Sequence, residues 1–355
     1  MQNDIGQARA APIPVSVITG FLGSGKTTLL RALLRQPGMA GTAVIINEFG
    51  EVGLDHELVE AIDGETTLLQ GGCVCCTVRD DLTLTLERLL SKHLDGTIAP
   101  LQRVVIETTG LADPAPILQL LIGSSRVAQA YVLESVITTL DAVHGLAQWD
   151  RHPESVRQVA MADRIVLTKT DLAAFSAPAR FAARIARLNP RATMVTVRDG
   201  DIDAALLFGA SAKERRDDEA VDTNDGAALS GLSAACAAGR CDHEGHGGYL
   251  PGESHHDAGI RSHSLVFDQP LDWAEVSDWL GGIAYFHGAS LLRVKGILDI
   301  RGESAPIAVH GVHHLFHSPT ALESWPGDTR ESRLVFITQD LDRSALLPTF
   351  AAALA

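Results

Sequence analysis

The sequence predicts an α/β chain in two units: a doubly wound, mostly parallel sheet over residues 1–212 and a small α+β domain over residues 262–355. Three observations predict it. Short β-branched runs alternate with longer amphipathic stretches through the first unit, the pattern of parallel strands joined by crossover helices. A glycine-rich turn follows the first apolar run and opens directly into a helical stretch, as in sheets that hold a ligand at the carboxyl ends of their strands. Near Lys213 the periodicity stops, and at Ser262 a second series of strands and helices begins.

Strands of the first unit are expected at Val15–Thr19, Thr42–Asn47, Arg103–Glu107, Ala130–Leu140 and Arg164–Thr168, largely apolar and rich in β-branched residues. Helices are expected between them at Thr27–Arg35, Asp80–Lys92, Pro114–Gly123 and Pro178–Leu188. Residues 213–261 contain KERRDDEAVDTNDG, CDHEGHGG and SHHDAG, rich in Gly, Asp and His without a period, and read as an acidic, His-rich linker or insertion. The second unit should run strand His263–Phe267, helix Leu271–Ile283, strands near Leu291–Ile300, Ile307–His314 and Arg333–Thr338, and a last helix Ser344–Ala353.

Composition narrows the chemistry. A formal net charge of −15 over 355 residues argues against nucleic acid as the main partner and suits cations and basic protein surfaces. No run approaches the roughly 18 apolar residues of a membrane helix, so no membrane partner is expected. The opening MQNDIGQARAAP carries an acid and no apolar core, so it does not read as a signal peptide. Of 5 cysteines, Cys73, Cys75 and Cys76 are crowded together. With no export signal, such crowding favours reduced thiols used as metal ligands in a cytoplasmic protein.

Residues Gly20 to Thr28, GFLGSGKTT, fit G-x-x-x-x-G-K-[ST] directly after a strand. Gly20, Gly23 and Gly25 let the backbone curl around a phosphate, with Ser24 inside the curl. Lys26 reaches the β and γ oxygens, Thr27 offers its hydroxyl to Mg²⁺, and the helix opening at Thr27 and Thr28 turns its positive end to the anion. Glu107 ends the strand RVVIE and is placed to hold the Mg²⁺ hydration shell, while Gly110 can bring a backbone N–H to the γ-phosphate. At the end of a later strand stands Thr168-Lys169-Thr170-Asp171. The Asp171 carboxylate can accept from the N1–H and amine of guanine, a donor pair adenine lacks, and the Lys169 stem would cover the base. GTP is therefore favoured over ATP.

Gly71-Gly72-Cys73-Val74-Cys75-Cys76 is the unusual run. Three thiolates at this spacing can converge on one ion if the backbone turns tightly, and the paired glycines permit the turn. Soft sulfur selects Zn²⁺ or Cu⁺, with Co²⁺ or Ni²⁺ also allowed. Buried apolar cysteines, or a purely structural zinc, are the competing readings; no second Cys or His pair nearby completes a closed four-ligand site.

Taken in order, GFLGSGKTT, INEFGEVGLD (Ile46–Asp55), GGCVCC, ETTGLADP (Glu107–Pro114) and TKTD resemble the signature of the CobW-type GTPases. VHGVHHLFH, WPGD and SRLVFIT are similar to that family's C-terminal domain. The resemblance implies a P-loop GTPase that binds a transition metal, zinc by default, at Cys73, Cys75 and Cys76 and passes it to a client metalloprotein. Glu48 and Asp55 are implied as carboxylate participants, and a homo-oligomer is allowed. The family's base motif usually begins with Asn; Thr168 stands there instead, so the side-chain bonds to the phosphate loop should be reduced or lost.

The expected mechanism is a switch. GTP and Mg²⁺ order Asn47–Asp55 and Glu107–Gly110, and the Cys loop between them changes its grip on metal. No Gln follows Gly110, so slow intrinsic hydrolysis is expected. Rival readings are a non-catalytic metal buffer or sensor and a small-molecule P-loop kinase; TKTD and the lack of an arginine-rich lid disfavour the kinase. Cys236, Cys241, His243, His246, His255 and His256 could gather ions for the Cys loop or could be incidental. On a continuous strand His310 and His314 would face away from His313 and His317, so one four-histidine site would need a break, and structural histidines are the expectation.

Overall fold

The computed structural model describes residues 11–47, 68–70, 78–123, 126–198, 200–208, 259–325 and 330–346. Among the described residues the strands and α-helices of the first unit are β1 Ile13–Gly20, α1 Lys26–Leu34, β2 Thr42–Asn47, β3 Leu68–Gln70, α2 Val78–Leu94, β4 Arg103–Thr108, α3 Ala115–Ile122, α4 Arg126–Ala130, β5 Tyr131–Asp141, α5 Gly145–Arg151, α6 Pro153–Ala160, β6 Arg164–Thr168, α7 Ala177–Leu188 and β7 Thr193–Thr196. The strands form one sheet in the order β3-β2-β4-β1-β5-β6-β7, and each neighbouring pair is parallel.

Alternation within the strands sorts their side chains between two cores, as a sheet covered on both faces requires. Val15, Val17, Val104, Ile106, Ile165 and Leu167 face one core, which α2 closes with Leu82, Leu86 and Leu89, α3 with Leu118 and Leu121, and α6 with Val156 and Val159. Ile18, Val105, Ile137 and Val166 face the other, closed by Leu29, Leu30 and Leu33 of α1. The sheet is therefore doubly wound, as expected. Its order reverses around β1, which lies between β4 and β5. Ligands gather at the carboxyl ends of strands where such a reversal opens a crevice.

The second unit comprises β8 Ile260–Phe267, α8 Trp273–His287, β9 Leu291–Leu298, β10 Ile307–Val312, β11 Leu315–Phe316, β12 Thr320–Ala321, β13 Ser332–Gln339 and α9 Arg343–Leu346. Its sheet runs β11-β10-β9-β13-β8, with β12 beside β10, and its pairs are antiparallel. Asp272 caps α8 by accepting from Ala274 N at 2.9 Å. β13 divides its side chains cleanly. Leu334 and Phe336 meet Trp279, Leu280 and Ile283 of α8. Val335 and Ile337 join Ile260, Leu292 and Val312 in the core of the first unit.

Several boundaries differ from expectation. Ile307–His314 is not one strand: β10 stops at Val312, His313 turns with φ 52°, and β11 returns against it. β8 begins at Ile260, ahead of Ser262. Of the expected Ser344–Ala353 helix, the residues beyond Leu346 lie outside the described ones, as do Cys236, Cys241, His243, His246, His255 and His256. No described helix is long and apolar enough to cross a membrane.

Candidate functional site

The phosphate-loop sequence leaves β1 at the sheet centre, with the carboxyl ends of β4, β5 and β6 nearby. Gly20 is pressed against β5: a Cβ there would lie 2.3 Å from Thr139 Oγ1 and 2.8 Å from Ser24 Oγ, so only glycine fits. Gly23 and Gly25 take φ of 70° and 93°, values that L side chains rarely adopt. Gly25 is also the N-cap of α1. It offers no side chain to the first N–H groups of that helix, which stay available for an anion.

Buried hydroxyls brace the loop from beneath. Ser24 Oγ lies 2.6 Å from Thr139 Oγ1. Thr108 Oγ1 donates to Thr19 Oγ1 at 2.8 Å, and Thr139 Oγ1 donates to Thr19 O at 3.3 Å. Lys26 is buried, and its Nζ donates to Gly20 O at 2.9 Å and Phe21 O at 3.3 Å. Its ammonium is thus held over the loop it follows. Thr28 is exposed at the start of α1.

Thr27 and Glu107 come together from 80 positions apart, Thr27 Oγ1 donating to Glu107 Oε1 at 2.7 Å. Glu107 is buried at the end of β4, in register with Ile18 of β1. A hydroxyl and a carboxylate in contact are hard oxygen donors that fit Mg²⁺, which takes few protein ligands and keeps its waters. Gly110 packs on the phosphate loop, and a Cβ there would lie 2.7 Å from Leu22 N.

The base-motif residues tie their loop to the phosphate loop. Thr168 is buried, and its Oγ1 donates to Ser24 O at 2.7 Å and Leu140 O at 3.0 Å. The link expected to be reduced or lost is therefore kept, because a threonine hydroxyl at this position is already in contact with the loop. Lys169 adopts φ 55°. Its Nζ donates to Gly23 O at 2.7 Å and to Asp141 Oδ2 at 2.7 Å. Burial pushes the Asp141 carboxyl up, but hydrogen bonds from Lys169, His144 N and Val143 N outweigh it and hold the group below its ordinary value. Asp171 is exposed on the same loop. Beside it a cleft of about 430 Å³ is lined by Thr170, Phe175, Thr196, Arg198 and Asp201 among others.

Sequence reasoning did not find Thr19, Thr108, Thr139, Asp141 or Gln158. Asp141 carried the signal that Glu107 carries, an acid ending a buried apolar strand. Gln158 carried none, since its Nε2 reaches Gly110 O from α6 at 3.2 Å, across 48 positions.

Glu48, Asp55, Cys73, Cys75 and Cys76 lie outside the described residues. Among the described residues no group of three His, Cys, Asp or Glu is placed to hold a metal ion. The C-terminal histidines instead make local contacts: His313 Nδ1 lies 3.1 Å from Gly288 O, and His317 Nδ1 lies 3.1 Å from Ser318 O.

Residues 14–196 match the CobW/HypB/UreG nucleotide-binding domain, and residues 260–354 match the cobalamin synthesis protein CobW C-terminal domain. The zinc chaperone YjiA of Escherichia coli is 35% identical over 96% of this chain and 98% of its own length. The zinc chaperone CobW of Pseudomonas aeruginosa is 31% identical over 97% of this chain and 92% of its own. The crystal structure of Zn(II)-bound YjiA GTPase from E. coli superposes with a TM-score of 0.66 at 32% identity, covering 97% of this chain and 99% of that one. The phosphate loop, the Thr27–Glu107 pair and the two matched domains thus have one common explanation: the chain belongs to the CobW/HypB/UreG family of P-loop GTPases and carries the CobW C-terminal domain.

Proposed function

We propose that this GTPase is a zinc metallochaperone, holding its cargo on Cys73, Cys75 and Cys76 and handing it to a client metalloprotein under control of the bound nucleotide. One observation carries the reading: similarity along nearly the whole of a zinc chaperone, in a chain that itself carries the Cys-x-Cys-Cys run. Zinc suits thiolate ligands, and three of them leave tetrahedral coordination one short, open to a ligand from a recipient. Cobalt and nickel are accepted by the same donors. Glu48 and Asp55 are proposed as carboxylates near the cargo.

Each part of the nucleotide site has a role in this reading. The loop N–H groups and the α1 terminus bind phosphate, and Lys26 exchanges its carbonyl partners for β and γ oxygens. Thr27 and Glu107 would hold Mg²⁺, which would supply positive charge toward the phosphates when bound. Gly110 faces the γ-phosphate, and Asp171 reads guanine. Loss of the γ-phosphate then loosens the segments on either side of the Cys run and weakens its hold on zinc.

A competition titration against a chromophoric zinc chelator tests this. Zinc affinity is expected to differ at least ~10-fold, about 1.4 kcal/mol, between protein bound to a non-hydrolysable GTP analogue and protein bound to GDP. Replacing all three cysteines with serine should abolish that site. Equal affinities in the two states would leave a zinc buffer; uptake and delivery unchanged by the serines would remove the Cys run from the function.

A further inference from the structure

We propose that Gln158 is a positioning residue for GTP hydrolysis, and that Arg157 beside it passes the setting of the same loop to the C-terminal sheet. The loop after β4 carries Gly110 against the phosphate loop. Gln158, buried on α6, donates its Nε2 to Gly110 O at 3.2 Å and to Ala112 O at 3.0 Å. The side-chain amide is thus committed to two carbonyls of one loop. Its Oε1 is buried with no hydrogen-bond partner among the described residues. An apolar side chain would fill this space without burying an unmet Oε1 but would leave the Gly110 and Ala112 carbonyls without this donor, so packing alone does not account for glutamine. Holding the loop does. α6 is itself fixed to β5, because Gln158 O accepts from Thr138 Oγ1 at 2.8 Å.

Arg157 serves two other contacts from the same helical turn. One guanidinium nitrogen lies 3.7 Å from Asp113 Oδ2, at the end of the loop that Gln158 holds. The other donates to Gln339 Oε1 at 3.1 Å, on the last residue of β13. At the front of α6, the His152 ring stacks on Phe21 of the phosphate loop with centroids 4.6 Å apart. Just beyond its end, Met161 O accepts from Arg293 of β9 at 2.5 Å. This helix therefore touches the phosphate loop, the loop after β4 and two strands of the second sheet. A shift of Gly110–Asp113 with the γ-phosphate would reach the second sheet through the one guanidinium that Asp113 and Gln339 share.

The proposal rests on GTP hydrolysis and not on the zinc reading, so its test uses nucleotide alone. In the full chain, Gln158→Leu should lower kcat for GTP by roughly 10²-fold, the scale of a misplaced reacting group, with KM close to the parent's and a melting temperature lower by a few degrees for the two donor bonds lost, the chain remaining folded at the assay temperature. Unchanged kcat, or a loss explained by unfolding, would overturn the positioning role. Arg157→Ala, at a half-exposed side chain, is read by amide hydrogen exchange over Ser332–Gln339. The parent should show different protection there with a GTP analogue and with GDP, and the variant should not. No nucleotide dependence in the parent, or the same dependence in R157A, defeats the link whether or not Q158L folds.

Discussion

Thr168 shows how much a single hydroxyl can carry. It joins the base loop to the phosphate loop by donating to Ser24 O, and Thr168→Val would keep the shape while leaving that buried carbonyl without its donor. The expected cost is about 1–1.5 kcal/mol, seen by calorimetry as a roughly 10-fold weaker GDP complex. Glu107→Gln keeps an acceptor for Thr27 but removes the charge on which the Mg²⁺ reading depends. Mg²⁺-dependent turnover should fall at least ~10²-fold, with Mg²⁺-free nucleotide affinity little changed; full turnover in E107Q would dismiss this carboxylate as a metal holder. Residues of this kind were legible in sequence where one segment contains the whole device, as in Gly20–Thr28. The hydroxyl brace was not, because Thr108 and Thr139 stand on β4 and β5, and only the parallel register brings them to Thr19 and Ser24 of the first segment.

Elements were legible where they are long and regular. β1, β4 and β6 are short runs with apolar, β-branched centres, and their ends fall close to expectation. Leu68–Gln70 is too short to display a period, Thr193–Thr196 is a half-exposed edge strand, and the helices over 145–160 are split by His152-Pro153, which breaks the periodic pattern. α6 has a cap from outside itself: Asn189 Nδ2 lies within hydrogen-bonding distance of Val159 O, Ala160 O and Ala162 O at 2.9, 3.1 and 2.8 Å. Asn189→Ala would remove this shared donor, leaving Val159 O to its backbone partner Ala162 N, and should lower stability by about 1–3 kcal/mol, measured by urea titration. β8 and β13 meet at His263, whose Nε2 lies 3.1 Å from both Thr338 Oγ1 and Leu341 O. Burial first, and Arg261 and Arg343 after it, lower its pKa below 6.5 against the pull of Leu341 O. The unfolded chain therefore binds the proton more readily than the folded one. Stability should fall as pH drops through 6.5 toward the folded value, and His263→Gln should flatten that part of the melting-temperature profile.

At the scale of the molecule, the two units share a core and a buried charge cluster. Asp163, between α6 and β6, accepts from Arg293 at 2.7 Å, from Lys295 and from Val136 N at 2.8 Å, and both its carboxylate and the Arg293 guanidinium are almost wholly shielded from water. Asp163→Ala would strand the Arg293 guanidinium in the interior, beside a Lys295 amine whose pKa burial already pushes down to about 7, at a cost of about 3–5 kcal/mol, visible as an earlier denaturation midpoint for the entire chain. None of this was legible in sequence. A lone Asp after a helix and alternating basic residues on a strand read as a solvated surface, and β13 does not reveal that Val335 and Ile337 face a different unit from Leu334 and Phe336.

Because the seam between the units is sealed by unlike charges rather than by apolar contact alone, neither side is free to drift by itself. Among distant cousins of this chain, a neutral residue replacing the aspartate should arrive together with loss of the facing guanidinium. A lineage that keeps the arginine opposite an alanine or leucine would speak against this ion pair as what holds the two units together.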